Sequence, residues 1–307
     1  MLRGRHGGTI LLLVIAAVIA LAVVAMADDA EATWTGEPLP PWGNDWYINQ
    51  DTVYTDETIR LDGNIYVWAP YTLSLDGCTV IFNCSYPGQH GIMPDWGSVL
   101  YMNDSATNDG VVKSNTSSED WWFEIYGEAY LNGVDLMDVD YGIWNWNTYL
   151  YMEGCTVSST TYGIMSFTDG HIGNTTINVL WDAFYWGGGF VEAIGVMGQG
   201  GALAMYNLDI NVRVDINETI WPTSTFYGNY YVYGIYLYST DVGKLQPTVN
   251  SEFSISIDID IVVNNYYDTT GYASFYNYVY TRAIYMRGDT VCRAINNIDI
   301  DINEDIT

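Results

Sequence analysis

The segment Gly133–Trp144 reads GVDLMDVDYGIW, and the segment Gly154–Met165, which starts 21 residues later, reads GCTVSSTTYGIM. A degenerate third copy, NTTINVLWDAFY, begins another 20 residues on, at Asn174. This period is too short for a helix-turn-helix repeat, and apolar residues alternate with polar ones within each copy, as they do in strands. The repeat therefore predicts an all-β fold in which each copy forms one coil of a strand solenoid.

Alignment of the two clean copies predicts which residues stack. Gly142 and Gly163 occupy the same place in adjacent coils, and each is followed by an isoleucine. We expect Ile143 and Ile164 to be buried between these coils, since a solenoid buries its apolar face by stacking one repeat on the next.

The N-terminus has the features of a secretory signal peptide. Basic residues precede an uncharged apolar stretch at 10–25, and a small-residue cleavage site ends at Ala27. We expect residues 1–27 to be removed, which predicts a secreted or cell-surface protein; an uncleaved N-terminal anchor is the alternative. The sequence contains no second apolar span, so no membrane span is expected after cleavage.

The remaining chain divides by pattern into four segments. Residues 28–45 contain prolines and acidic residues and predict a flexible lead-in, and the short alternating strands of 46–67 predict an N-terminal cap. Residues 68–186 predict short coils, and residues 187–307 predict longer coils with Tyr/Asn-rich loops, a separate sandwich domain being the alternative. Thr307 falls within an alternating strand, so we expect either a truncated chain or self-association, end to end or lateral.

The charge balance excludes one class of partner. The chain has 9 basic and 37 acidic side chains, and loss of residues 1–27 brings the formal charge from −28 to near −30. Binding to nucleic acid is excluded because no basic surface is present to displace phosphate counterions. The acidic side chains of such a protein repel one another, which indicates a salty medium, bound divalent cations or a cationic partner.

The four cysteines leave two interpretations open. Cys78 and Cys155 follow a glycine at the same place in their repeats, so both are expected to point inward. We expect buried, unpaired thiols, and a bridge between Cys84 and either Cys78 or Cys292 is the alternative.

Together, the signal peptide, the cap and the stacked Gly-x-Thr-Val and Tyr-Gly-Ile phrases resemble the right-handed parallel β-helix proteins of the pectin-lyase-like superfamily, over about residues 46–307. The resemblance implies a polysaccharide hydrolase or lyase as one function. The family's hydrolases carry Asn-Thr-Asp, Asp-Asp, Gly-His-Gly and Arg-x-Lys motifs. Three of these motifs are missing from this sequence, and its single Asp-Asp pair, Asp28–Asp29, lies at the predicted cleavage site. We therefore expect a non-enzymatic protein of a cell-surface or secreted assembly that binds glycan or a neighbouring protein, with the enzyme and a structural stalk as alternatives.

Outward-facing aromatic residues are the first candidate site. The candidate ligand-binding residues are Trp144, Trp146, Phe167 and Tyr185. Aligning the three copies places Trp144, Met165 and Tyr185 in one outer column, and Trp146 and Phe167 in a second. Exposed rings of this kind stack on sugars or contact proteins; cover by a loop from the glycine-rich segment at 187–201 is the alternative.

Two alternating acidic strands are the second candidate site. In-register pairing of ISIDIDIVV with IDIDI would place Asp258 next to Asp299 and Asp260 next to Asp301, about 4.8 Å apart. Like charges at this spacing repel, so a structural calcium ion is one expectation and screening by salt is the other. No other cofactor is expected.

Five Asn-x-Ser/Thr sequences are candidate glycosylation sites in a host that performs this modification. The asparagines are Asn83, Asn103, Asn115, Asn174 and Asn217.

Overall fold

Strands account for all the regular secondary structure in the part of the chain that the structure describes. The structure is a computed structural model, and it describes residues 33–105, 109–146, 148–186, 190–200, 203–220, 225–239, 244–245, 255–267, 274–288, 291–292 and 298–306. The predicted signal peptide, residues 1–27, lies outside these residues. Within them, no helix has the length and apolar character needed to cross a membrane.

The strands are numbered in chain order. The first fourteen are β1 Thr33–Thr35, β2 Trp46–Ile48, β3 Thr52–Thr55, β4 Thr58–Leu61, β5 Ile65–Val67, β6 Thr72–Asp76, β7 Thr79–Phe82, β8 Gly91–Pro94, β9 Val99–Asn103, β10 Val111–Ser114, β11 Trp121–Ile125, β12 Glu128–Asn132, β13 Asp135–Asn145 and β14 Leu150–Glu153. The others are β15 Thr156–Ser159, β16 Tyr162–Ser166, β17 Gly170–Gly173, β18 Thr176–Trp186, β19 Phe190–Gln199, β20 Leu203–Tyr206, β21 Leu208–Ile220, β22 Thr225–Ser239, β23 Lys244–Leu245, β24 Ile255–Tyr267, β25 Ser274–Gly288, β26 Val291–Cys292 and β27 Ile298–Ile306.

Parallel pairing arranges most of these strands in three ladders. Ladder A contains β3, β6, β9, β12, β14, β17 and β20. Ladder B contains β4, β7, β10, β13, β15, β18, β21, β24 and β27. Ladder C contains β2, β5, β8, β11, β13, β16, β19, β22 and β25. The chain visits the three ladders in turn, which is the pairing pattern of a solenoid-like β-helix.

The clean repeats stack as the sequence predicts. Ile143 pairs with Ile164 in ladder C, and both side chains are fully buried. Gly142 has a φ of +76°, and a Cβ at this position would collide with the carbonyl oxygen of Tyr162 in the next coil. The glycine is therefore required both by its backbone conformation and by the close approach of the adjacent coil.

The core is built from continuous columns of inward-facing side chains. The column in ladder B is formed by Ile59, Val80, Val112, Leu136, Val157, Ile177, Ile210 and Ile257, none more than 1% exposed. Burial of each such side chain contributes about 1.5–3 kcal/mol to the free energy of folding. Stacked aliphatic columns are thus the main source of stability in this fold.

The cysteines within the described side chains are free and buried. Cys78 and Cys155 are each 2% exposed and Cys84 is 4% exposed, as expected for inward-facing thiols. Because Cys84 is free, the alternative of a bridge from this residue is wrong. The side chain of Cys292 lies outside the described residues.

From β18 onward the strands of ladders B and C have 9 to 15 residues; among the earlier described strands only β13 is this long, because it continues from ladder B into ladder C. Residues 46–67 form β2 to β5, which are the first strands of the three ladders. The longest strands are β22 and β25, with 15 residues each. These two strands contain the Tyr/Asn-rich segments that the sequence analysis assigned to loops. Their inward residues, such as the fully buried Tyr230, belong to the same hydrophobic core as the short coils.

Candidate functional site

A groove lies at the corner where ladder B meets ladder C. Its volume is about 640 Å³, within the usual range of about 300–1,000 Å³ for small-molecule sites. The residues that line it are Ser117, Ser118, Asp120, Asp140, Tyr141, Thr160, Thr161, Leu180, Trp181 and Asp182. They come from four successive coils, so the stacking of coils is what brings them together.

The change in strand length explains why the groove is present. The chain bends at this corner within β13, where Asp138 and Tyr141 have φ values of 59° and 53°. In the next coil β15 ends at Ser159, and β16 begins at Tyr162. By contrast, β18 continues straight through the equivalent position and pairs with β21 over eleven residues. The residues 180–182 of β18 therefore extend beyond the corner and form one wall of the groove.

Carboxylates form the base of the groove. Asp120 is only 8% exposed, and its burial, together with the nearby charges of Asp140, Asp138 and Glu119, raises the pKa of its side chain to about 6. Burial also raises the pKa of Asp138, against the opposing effect of Lys113, and the pKa of Asp140. The groove thus concentrates negative charge in a partly desolvated place, which is energetically costly without a cationic or hydrogen-bonding partner.

Hydroxyl groups surround these carboxylates. An adjoining pocket of about 150 Å³ shares Asp120 and Thr160 with the groove and adds Ser158 and Ser159 to it. Ser159 is 6% exposed, and its Oγ makes no hydrogen bond with the described part of the protein. A buried hydroxyl without a partner is uncommon in folded proteins, and here it lines a cavity.

Two aromatic rings and an aliphatic side chain complete the lining. Tyr141 is 54% exposed and Leu180 is 51% exposed, whereas Trp181 is half-buried and packs against the core. The carbonyl oxygen of Tyr141 accepts a hydrogen bond of 2.7 Å from Nε1 of Trp144. This bond joins the groove to the aromatic cluster that the sequence analysis proposed.

The predicted aromatic columns are partly confirmed. Trp144 pairs with Met165, and the rings of Trp146 and Phe167 stack with centroids 4.6 Å apart and planes 2° apart. Trp144, Trp146 and Phe167 are half-buried on the outer face, and Met165 is 5% exposed. The stack continues to Tyr126, whose ring centroid lies 6.2 Å from that of Trp146.

The prediction that Tyr185 belongs to this column is wrong. The next neighbour of Met165 in ladder C is Met197 of β19, and Tyr185 pairs with Glu218 in ladder B. Ala183 stands where the clean copies have glycine, and β18 runs straight instead of bending into ladder C. The side chain of Tyr185 lies outside the described residues.

The predicted pairing of the aspartates is also wrong. Asp258 lies opposite Asp301, Asp299 lies opposite Ser256, and Asp260 lies opposite Asn303. The four aspartates therefore provide one directly opposed pair, not two. Across the described residues, no group of three or more His, Cys, Asp or Glu side chains is placed to hold a metal ion.

Three candidate glycosylation asparagines, Asn83, Asn115 and Asn174, take part in side-chain hydrogen bonds between coils. Nδ2 of Asn115 donates to Oδ1 of Asn83 at 2.9 Å, and Nδ2 of Asn174 donates to Glu153. Asn103 and Asn217 are half-buried on β9 and β21. Asn83, Asn115 and Asn174 thus have a structural role in the stacking of the outer surface, which the sequence motif did not indicate.

Ladder A carries an aromatic column that the sequence analysis missed. Tyr101, Tyr130, Tyr151 and His171 occupy equivalent positions in four successive strands. Consecutive ring centroids are 5.0, 6.3 and 4.6 Å apart. The signal available in the sequence was a tyrosine two residues before an asparagine or glutamate at the end of three of these strands.

Comparison of the chain with protein-family models, with curated proteins and with solved structures found no match. The fold and the chemistry of the groove are therefore the basis for a proposed function.

Proposed function

We propose that this protein is a secreted or cell-surface, non-enzymatic, right-handed parallel β-helix of the pectin-lyase-like type, and that it binds glycan in the corner groove. The observation that carries the proposal is the combination of hydroxyl, carboxylate and aromatic side chains in one groove of about 640 Å³. The handedness follows the general rule that connections between parallel strands of one sheet are almost always right-handed.

The lining of the groove suits a sugar better than an apolar ligand. Sugars offer hydroxyl groups to polar side chains, and their C–H faces stack on aromatic rings. Tyr141 and Trp181 supply rings, and Asp140, Thr160 and Thr161 supply hydrogen-bonding groups beside them. These side chains lie on or between stacked strands, which hold a binding site more precisely than long loops do.

A binding role accounts for the residues better than catalysis does. A lyase of the resembling family requires a basic residue among carboxylates, and the groove is lined by carboxylates, hydroxyls and apolar groups. The basic residues near it in the described chain lie outside this lining. Arg60 and Lys113 line a neighbouring pocket beyond Asp138, and Arg213, which pairs with Leu180 in the next coil, donates a hydrogen bond to Asp215. The half-buried cluster of Trp144, Trp146 and Phe167 extends the aromatic surface away from the groove for a longer chain or for a protein neighbour.

The test is a binding experiment with a panel of soluble oligosaccharides, followed by isothermal titration calorimetry. The variant is Tyr141→Asn, because asparagine tolerates the positive φ of this position. Loss of one stacked ring should weaken binding about fivefold. The matched control is Tyr86→Asn, which removes a tyrosine that is 59% exposed outside the groove.

Two results would contradict the proposal. One is the absence of any binding across neutral, acidic and amino-sugar oligosaccharides. The other is equal loss of affinity in both tyrosine variants, since this would place the ligand elsewhere on the surface.

A further inference from the structure

We propose that the groove selects glycans that carry protonated amino groups, that is, de-N-acetylated hexosamine chains, over neutral and uronic-acid chains. The inference rests on the proposed function and names the substrate class for the same site. The residues that make the selection are Asp120, Asp140 and Asp182, with Ser159 beside them.

The first argument is charge. Asp120, Asp140 and Asp182 line the groove, and Asp138 lines the pocket that adjoins it. None of the described residues that line the groove is basic. A uronic-acid chain would bring further negative charge to these carboxylates, and like charges at short range in a partly desolvated site repel strongly.

The second argument is burial. Asp120 is more than nine-tenths buried, and this burial raises the pKa of its carboxyl. An ionised carboxylate in this position requires a donor, and an ammonium group offers three N–H donors together with a compensating charge. A neutral sugar offers hydroxyl donors without that charge, so it should bind more weakly.

The third argument is independent of the acidic residues. The Oγ of Ser159 is buried without a protein partner, and Ser158, Thr160 and Thr161 lie next to it around the cavity. These hydroxyls match the hydroxyl groups of a sugar ring, which a metal ion or a simple alkyl-ammonium group lacks. The described residues also hold no metal-binding group of three or more ligands, so a divalent cation fits the site less well than an amino sugar.

The positions of the neighbouring basic side chains indicate where in the groove the amino group of the ligand binds. Arg60 and Lys113 lie beyond Asp138, and Lys113 partly opposes the rise that burial causes in the pKa of that carboxyl. Arg213, which pairs with Leu180 in the next coil, acts electrostatically on Asp182. The part of the groove without a described cation beside it is therefore the part between Asp120 and Asp140. An amino group of the ligand is expected in this part.

The experiment compares three oligosaccharides of equal length by isothermal titration calorimetry on the full chain. They are an oligomer of glucosamine, its N-acetylated counterpart and an oligomer of galacturonic acid. A lysine oligopeptide serves as a fourth ligand with the same charge but no sugar ring. The glucosamine oligomer should bind about tenfold more tightly than the N-acetylated one, as expected for a charge-assisted hydrogen bond at a desolvated site.

Two variants distinguish selective binding in the groove from general attraction of a cationic ligand to the acidic chain. Asp120→Asn should reduce the preference for the glucosamine oligomer about tenfold. Asp209→Asn removes an exposed aspartate of β21 that does not line the groove, and it should leave the preference unchanged. Circular dichroism of both variants shows whether the fold is retained.

Each other outcome has a distinct meaning. Equal binding of the glucosamine and N-acetylated oligomers, or tighter binding of the galacturonate oligomer, would overturn this inference and leave glycan binding intact. Equal binding of the lysine peptide and the glucosamine oligomer, or equal loss in Asp209→Asn, would also overturn it, since charge alone would then explain the affinity. Failure of all three oligosaccharides to bind would contradict the proposed function itself.

Discussion

Replacement of Asp120 by asparagine should stabilise the protein at neutral pH and not in acid. Burial and neighbouring carboxylates raise the pKa of Asp120 from 3.8 to about 6. Each pKa unit corresponds to about 1.36 kcal/mol, so ionisation of this buried group costs the folded state about 3 kcal/mol. Asparagine is isosteric with aspartate and carries no charge, so it removes this cost.

The pH at which the effect develops follows from the direction of the shift. The folded state binds the proton of Asp120 more tightly than the unfolded state, so the cost is absent below about pH 4. Stability is lost as the pH rises from about 4 to 6, and the loss is complete above the pKa of the folded state. The difference between Asp120→Asn and the original protein should therefore grow from near zero at pH 4 to about 3 kcal/mol at pH 7.

Urea unfolding monitored by tryptophan fluorescence, at one-unit steps between pH 4 and pH 8, measures this difference. The matched control is Asp182→Asn, an exposed aspartate on the wall of the same groove. The control should change stability by less than about 0.5 kcal/mol at every pH. A difference that does not vary with pH, or an Asp120→Asn variant that is less stable at pH 7, would refute the argument that this carboxylate is buried and destabilising.

Further predictions concern the core, the thiols and the acidic strands. Ile164→Ala should lower the free energy of unfolding by about 2–5 kcal/mol, whereas Met137→Ala, at a position 43% exposed, should change it by less than about 0.5 kcal/mol; equal effects in urea unfolding would contradict the burial of Ile164. Cys155, whose pKa burial raises to about 11, should resist alkylation by iodoacetamide at pH 8 until the protein unfolds, and rapid modification seen by mass spectrometry would show that its coil opens. Sodium chloride and calcium chloride at equal ionic strength should raise the melting temperature equally, because they screen opposed charges such as Asp258 and Asp301. A shift specific to millimolar calcium, lost when both aspartates are replaced by asparagine, would instead support a bound ion.

The repeat by itself determined the architecture of the short coils. Alternation of apolar and polar residues predicts a strand regardless of what lies next to it, and a constant period of 20–21 residues predicts that equivalent residues stack. The pairing of Ile143 with Ile164 and the burial of Cys78 and Cys155 follow from that local pattern, and all are found.

The alternation of apolar and polar residues did not determine the register of the long strands. Asp258 was predicted to pair with Asp299, and it pairs with Asp301, a shift of two residues. A shift of two keeps every isoleucine on the inner face and every aspartate on the outer face, so alternation fits either register equally well. The pairing is decided instead by the packing of the whole strand and by the connection that precedes it.

The groove could not be predicted from the sequence either, for a related reason. Asp120 precedes β11, Asp140 lies in β13, and Trp181 lies in β18, so nothing local associates them. They meet because two coils bend at the corner and the next one, with Ala183 in place of glycine, continues straight. The period of the chain determined which faces of the strands are buried, whereas the bending or extension of each coil, which depends on packing against its neighbours, decided where a site is formed.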